Sequence, residues 1–404
     1  MNSIWRIPSF RWYWSGLILS ALGDQMGWMG LTWLMMRETH SPAIVGSMVM
    51  AYLFPGVIAG LFIGVLLDRW NRRILVIADN LIRGSLLLAI IALVMILHPP
   101  AWIVIVLVAV LGMLAPISSA GAQTILPSFV QDKEQLTKAN SLMQSQWQLV
   151  YLVGPALAGM MIGYFGEVIV LLLDAISFFL CAICFYKMKG IATVNTQQTN
   201  PNQRPTQSMW QDLVTGYHYI GKRPILIVLL IITLFFNMAY GPVEVALPFF
   251  AKEQLEGSAT LLGFLWTALA LGALCGSLWF SVKTWKYPIG TSLAVIILLW
   301  GLTTLPLAIW PSFHVGVVSM FVAGVAFAPY NVLYLSYLQK GTPDHLLGRV
   351  LTSARTITGV GMPLGAFLSG QLIQFLGVMN LLLVSSLACL IVGLLALQPL
   401  QKLR

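Results

Sequence analysis

Long apolar runs alternate with short polar breaks along the whole chain, and the runs keep to one length class. Twelve stretches of about 20 to 28 residues fall near 12–36, 42–66, 74–97, 101–126, 139–163, 168–187, 225–250, 258–282, 288–310, 313–338, 349–376 and 378–397. Each meets the roughly 20 apolar residues that a helix needs to cross a bilayer. Only one polar break is long. It covers 189–223 and holds a Thr/Asn/Gln/Pro-rich stretch from Thr193 to Gln207, then an amphipathic piece from Met209 to Ile220. The pattern therefore predicts an all-α membrane protein built as an N-terminal six-helix bundle over 1–188, a cytoplasmic linker over 189–223 and a C-terminal six-helix bundle over 224–404. About ten mixed residues precede the first run and no small-residue cleavage site follows a short apolar core. That run reads as a retained span, not a signal peptide.

The two halves repeat. Pro8 and Pro224 precede spans 1 and 7, Gly46 follows Ser41 as Gly263 follows Ser258, and Gly56 and Gly60 correspond to Gly272 and Gly276, all at offsets of 216 or 217 positions. Parallel repeats of six helices enclose a central cavity around which the halves rock, the architecture of a carrier.

Charge sets the orientation. With an even number of spans and the N-terminus inside, 18 of the 22 Lys and Arg residues fall on inward segments, Arg37 and Lys252 fall on outward loops, and Arg83 and Arg355 lie within spans. The positive-inside rule then places both termini in the cytoplasm of a bacterial inner membrane. This also accounts for the formal net charge of +9. A nucleic-acid surface would gather its basic residues on one polar face, whereas these are scattered over loops and tails.

Composition excludes more than it identifies. Of 404 residues, 58% are hydrophobic and 9% charged, where a soluble domain carries about 25% charged residues. Phosphate-cradling glycine loops, HExxH and nucleophile elbows are missing, so no feature supports an enzyme. Without a nucleotide-binding domain the energy source is an ion gradient, and the expected cofactor list is empty apart from protons. Cys181, Cys184, Cys275 and Cys389 lie in apolar stretches and read as small buried hydrophobes, with no metal site.

The loop after span 2 reads Gly64-Val-Leu-Leu-Asp68-Arg69-Trp-Asn-Arg72-Arg73. It resembles the signature of the major facilitator superfamily, with Asn71 where that family usually has glycine, a residue also tolerant of a left-handed turn. The resemblance implies a conformational latch on the cytoplasmic side, in which Gly64 permits close helix approach and Asp68, Arg69, Arg72 and Arg73 pair across helices. Gly154-Pro155-Ala-Leu-Ala-Gly159 on span 5 is similar to the motif of that superfamily's exporters and implies antiport. Shorter matches around Leu22-Gly23-Asp24, Ala78-Asp79, Ala139-Asn140, Asp174 to Phe178 and Leu347-Gly348-Arg349 resemble the subgroup of macrolide-efflux and enterobactin-export proteins. A working monomer is what this fold implies.

Ionisable side chains within spans cost several kcal/mol unless paired or solvated, and are functional candidates by default. Asp24 lies about 18 Å from the cytoplasmic end of span 1 at 1.5 Å per residue, near the midplane. It is the first candidate for proton coupling, with Glu244 after Gly241-Pro242 as the second. Asp79 and Arg83 stand four residues apart, a spacing that allows them to pair, and their depth assigns them to the latch network. Asp174 and Arg355 have no partner that sequence names.

For a substrate wall the spans offer Met26, Trp28 and Trp33, then Gln144, Trp147 and Tyr151, then Phe236, Asn237 and Tyr240, and finally Tyr330, Asn331 and Tyr334. Aromatic faces with neutral polar groups suit a bulky amphipathic molecule. The expected function is proton-coupled export of such molecules, drugs among them. The alternatives are a dedicated siderophore, metal-chelator or lysolipid exporter, or a non-transporting sensor of the same fold. The topology is directly testable: green fluorescent protein fused after Arg404 is expected to fluoresce, and alkaline phosphatase inserted at His40 to be active, the reverse pattern refuting the inward termini.

Overall fold

The computed structural model describes residues 4–188 and 209–400, apart from 256, 283, 284 and 286. The Thr/Asn/Gln/Pro-rich stretch and the basic residues Lys189, Arg204, Lys283, Lys286, Lys402 and Arg404 lie outside the described residues. Within them the first six helices are α1 (Pro8–Thr39), α2 (Pro42–Arg69), α3 (Arg72–Ala92), α4 (Ala101–Phe129), α5 (Lys133–Phe165) and α6 (Glu167–Lys187). The amphipathic piece forms α7 (Met209–Gly221), and there follow α8 (Pro224–Tyr240), α9 (Pro242–Gln254), α10 (Ala259–Val282), α11 (Ile289–Ile309), α12 (Phe313–Phe327), α13 (Pro329–Lys340), α14 (Asp344–Gly359) and α15 (Gly361–Leu400).

Fifteen helices make twelve crossings because several spans are broken where a backbone donor is missing or a residue cannot stay helical. Pro242 separates α8 from α9 and Pro329 separates α12 from α13, each removing a hydrogen bond at the break. Ten helical stretches are long and apolar enough to cross a membrane. The last of them, Asp344–Leu400, turns back at Gly377, whose φ of 77° is open to glycine, and so crosses twice. The more polar α1, 32 residues long, supplies the remaining crossing. Large side chains such as Phe62, Met95, Phe375 and Leu395 point outward from these helices, as the hydrocarbon of a bilayer allows and water does not.

The chain divides into two compact units, Met1–Leu34 with Ala51–Thr206, and Met35–Met50 with Gln207–Arg404. In the first, α3 packs on α4 and α6, over a core that includes Phe10, Tyr13, Val76 and Phe185. The Tyr13 hydroxyl donates to the Ala122 carbonyl at 2.9 Å. In the second, α11 and α8 pack on α15 and α10 on α12. Its core centres on Leu229, Phe236, Ile297 and Trp300. Helix α7 is seated on α14, where a Cβ on Gly216 would lie 2.6 Å from the Arg349 carbonyl oxygen.

The glycine repeat has a structural cause. On α4, Gly112 lies against the Tyr52 carbonyl of α2, and on α12, Gly324 lies against the Leu269 carbonyl of α10. Residues 52 and 269 are 217 positions apart. Both units thus use the same side-chain-free crossing, since helices without a hydrophobic drive between them associate through close small-residue packing. Gly64, by contrast, borders open space, with nothing within 4 Å of a Cβ built on it.

These contacts predict a ranking of stability. Gly112→Ala is expected to lower unfolding free energy by about 1–3 kcal/mol through overpacking, whereas Gly60→Ala, with nothing within 4 Å, is expected to change it by less than about 0.5 kcal/mol. Thermal unfolding of the detergent-solubilised protein followed by size exclusion reads the difference, and equal losses would refute the crossing.

Candidate functional site

The first unit contains a cavity of about 910 Å³, within the range of ligand sites. One stripe of α1 faces it. Tyr13, Leu17, Ala21, Asp24, Gln25 and Trp28 all line it, and steps of three and four residues keep them on one helical face. Trp33 is nine residues past Asp24 and so on the opposite side, and Met26 points well away. Both were expected to form the wall; both are buried in packing, with 8% and 6% of their surface exposed. Across the cavity, α5 presents Gln144, Trp147 and Tyr151 as expected, with the last two rings 6.1 Å apart. Trp28 pairs with Tyr52 of α2 at 4.8 Å.

The charged end of the cavity differs from the sequence-based pairing. Arg83 does not pair with Asp79 four residues before it; its guanidinium forms a forked contact with Asp24 on α1, one nitrogen on each carboxylate oxygen, the longer arm at 3.4 Å. The same guanidinium lies over the Phe178 ring of α6, 4.2 Å from its centre. Bidentate geometry fits the planar fork. The Arg83 side chain is 4% exposed and that of Asp24 34%, so the pair shows the cavity its acidic side. Asp79 instead accepts from the Ser118 hydroxyl, which also accepts from the Asn80 amide at 3.0 Å. Asp174, left without a partner by the sequence, is buried on α6 beside Gly23 and Gly27.

Among the described residues, none of these groups joins the loop arginines. Arg72 reaches Asp68 at 3.4 Å, the Leu67 carbonyl at 3.2 Å and the Thr124 carbonyl at 3.4 Å. Arg73 donates to the carbonyls of Phe185, at 2.8 Å, and Tyr186. The basic cluster therefore holds the carbonyl-rich C-terminal ends of α2, α4 and α6, which cations favour, more than it holds acids. Arg69 is exposed. Asn71 takes no left-handed turn: at φ −65° it caps α3, accepting from the amides of Arg73 and Ile74. Gly154 of the exporter-like motif packs its Cα side on Gln25 of α1, where a Cβ would stand 2.9 Å from the Gln25 Cβ. Pro155 lies within an unbroken α5, and Gly159 is buried.

In the second unit the candidates divide. Phe236 and Tyr330, read as wall residues, are 1% and 2% exposed and form the core with Trp300 and Phe327. The Tyr330 hydroxyl is 3.0 Å from that of Thr233. Tyr240, Phe327, Tyr330 and Tyr334 stack in sequence with interplanar angles of 13° or less. Asn237 donates to the Thr358 carbonyl at 2.9 Å. Asn331 and Arg355 are exposed. Glu244 sits in the first turn of α9, where the helix dipole favours an acid.

Sequence reasoning missed Tyr52, Gln25, Ser118 and Asn80. Their only signal was polarity inside apolar runs, weaker than a formal charge. The glycine spacing on α1 was a better one: Gly16, Gly23, Gly27 and Gly30 each face α6 side chains, and Gly23 and Gly27 make the room for Asp174 and Ser177.

The pair should behave as a unit. Arg83→Met is expected to destabilise the protein by about 3 kcal/mol, the low end for a broken buried pair because Asp24 borders the cavity. Adding Asp24→Asn should return more than half of that in a double-mutant cycle read by thermal unfolding, and additive losses would refute the coupling.

The chain is 25% identical over 386 residues to the multidrug efflux pump Tap of Mycolicibacterium fortuitum, covering 94% of this chain and 92% of that protein. It is 22% identical over 388 residues to macrolide efflux protein A of Streptococcus pyogenes, covering 94% and 93%. The solved nucleoside transporter NupG shares the fold with a TM-score of 0.79 at 13% identity, over 97% of this chain and 98% of that one. A family model described as Major Facilitator Superfamily matches residues 13–366. A twelve-span helical chain with this match is a multi-pass membrane transporter of small molecules and not an enzyme, and it belongs to the Major Facilitator Superfamily.

Proposed function

We propose that this protein exports amphipathic organic molecules, drugs among them, across the bacterial cytoplasmic membrane in exchange for protons, by alternating access, as a monomer with both termini inside. The observation that carries this reading is the composition of the cavity wall: an aromatic and amide-lined space that also includes an ion pair whose carboxylate faces inward. Aromatic planes and amides accept varied bulky cargo. A carboxylate held by one buried guanidinium is a group that a proton can compete for. The names of the efflux pumps similar to this chain support the direction of transport and the breadth of cargo. A siderophore exporter would call for basic groups facing the cargo, and Arg83 is here turned onto an acid.

The test uses the full chain in proteoliposomes with an imposed pH gradient and two probes, ethidium and radiolabelled erythromycin. Wild type is expected to accumulate at least one of them only when the gradient is present. Asp24→Asn should abolish gradient-driven accumulation while ethidium still binds within about threefold of wild type, since its aromatic wall is intact. Accumulation independent of the gradient, or unchanged in Asp24→Asn, would overturn the proposal.

A further inference from the structure

A second, smaller void lies behind the Asp24–Arg83 pair. It is about 20 Å³, enough for one water molecule, which needs roughly 10–15 Å³ and several polar partners. Its polar walls come from four helices: Asp24 of α1, Tyr52 of α2, Arg83 of α3 and Asp174 of α6. From α4 it receives only Leu111. The remaining charged neighbour is Asp79, one helical turn from Arg83 and bound by Ser118.

Asp174 is 4% exposed, and it occupies a niche that α1 opens only through missing side chains. A Cβ on Gly27 would fall on its carboxylate, and one on Gly23 would fall on Ser177 and lie 2.7 Å from Asp174 Oδ1. The Ser177 hydroxyl donates to the Asp174 carbonyl at 2.8 Å and stands 3.4 Å from Oδ1. Thus the chain places a second carboxyl group beside the one guanidinium of this void while that guanidinium is committed to Asp24. Two carboxylates then face one guanidinium in the void, with Asp79 a third carboxyl group outside it, bound by Ser118; the membrane interior penalises such an excess of negative charge by several kcal/mol, and a proton on Asp174 reduces it.

We propose that Asp174 is the buried proton-holding site of the transport cycle, exchanging its proton with Asp24 through a water molecule in this void. The proposal rests on the proton-coupled reading above and assigns the place where the proton resides. In the exchange the O–H bond of the Asp174 carboxyl breaks and its proton passes to the water. The water gives another proton to Asp24, forming a new carboxyl O–H bond. The guanidinium hydrogen bonds of Arg83 shift from Asp24 to Asp174. One O–H bond is lost and one gained, and the cluster carries the same charge before and after, so Arg83 faces one carboxylate throughout. What changes is the cavity wall, where Asp24 becomes a neutral acid released from its partner.

The experiment is ethidium transport by Asp174→Asn in proteoliposomes, read both as gradient-driven accumulation and as ethidium counterflow without a gradient, together with the infrared carbonyl band of a protonated carboxylic acid. Accumulation is expected to fall by about 100-fold, the low end for loss of a positioned proton carrier, while counterflow persists and the carboxylic acid band loses intensity. Wild-type accumulation and pH response in Asp174→Asn would overturn the assignment and leave the proton-coupled reading standing. Loss of counterflow together with accumulation in Asp174→Asn would also overturn it, marking the residue as packing alone. Should wild type itself show no gradient-driven accumulation, the proton-coupled reading falls and this proposal falls with it.

Discussion

A guanidinium in the middle of a bilayer must have a partner, and the arrangement of the first unit follows from where Arg83 finds it. Asp24 is the seventeenth of the 32 residues of α1, near the middle of a helix about 48 Å long. Bringing α3 to that depth on α1 requires both helices to approach α6, and the glycines of α1 make the approach possible. Phe178 covers the guanidinium from α6. The ion pair, the aromatic cover and the glycine seam are thus one construction. Removing the seam would push α6 outward and open the pair to the cavity; removing the pair would leave the seam enclosing an uncompensated charge.

Backbone-to-backbone contact organises the rest. Where Gly112 meets the Tyr52 carbonyl and Gly324 meets the Leu269 carbonyl, the two halves of the chain use one solution at equivalent places. The second unit adds a further run of it: Gly361 and Gly365 lie against the carbonyls of Leu234 and Met238, and Gly46 lies against Gly370. In lipid, where burying a leucine gains little over leaving it among acyl chains, such crossings and the dispersion contacts they permit carry the association.

Much of this was legible in the chain. Span number follows from run length, because the bilayer fixes how many apolar residues a crossing takes. The repeat was visible because glycine is hard to replace at a backbone contact. The pairing of Arg83 was not legible: a partner four residues away satisfied every local rule, whereas the actual partner lies 59 positions away and depends on helix packing. The wall was half legible. Trp147 and Tyr151 line the cavity, but Phe236 and Tyr330 have the same chemistry and lie in the core, since aromatic rings serve both places equally well. Facing is decided by helical phase, and on α1 the phase of Asp24 separates Trp28 from Trp33. Asn71 shows the same limit on a small scale, since a residue suited to a left-handed turn is equally suited to capping α3.

The aromatic stack of the second unit has an evolutionary consequence. Duplicated halves start with equal duties, yet here the acid-rich cluster is in one and the ring column from Tyr240 to Tyr334 is in the other. Such a division uncouples the rates at which the halves can drift. Changes among the rings alter shape by small steps without touching a charge, so substitutions can reshape that half while the ionic cluster of its sibling is left intact.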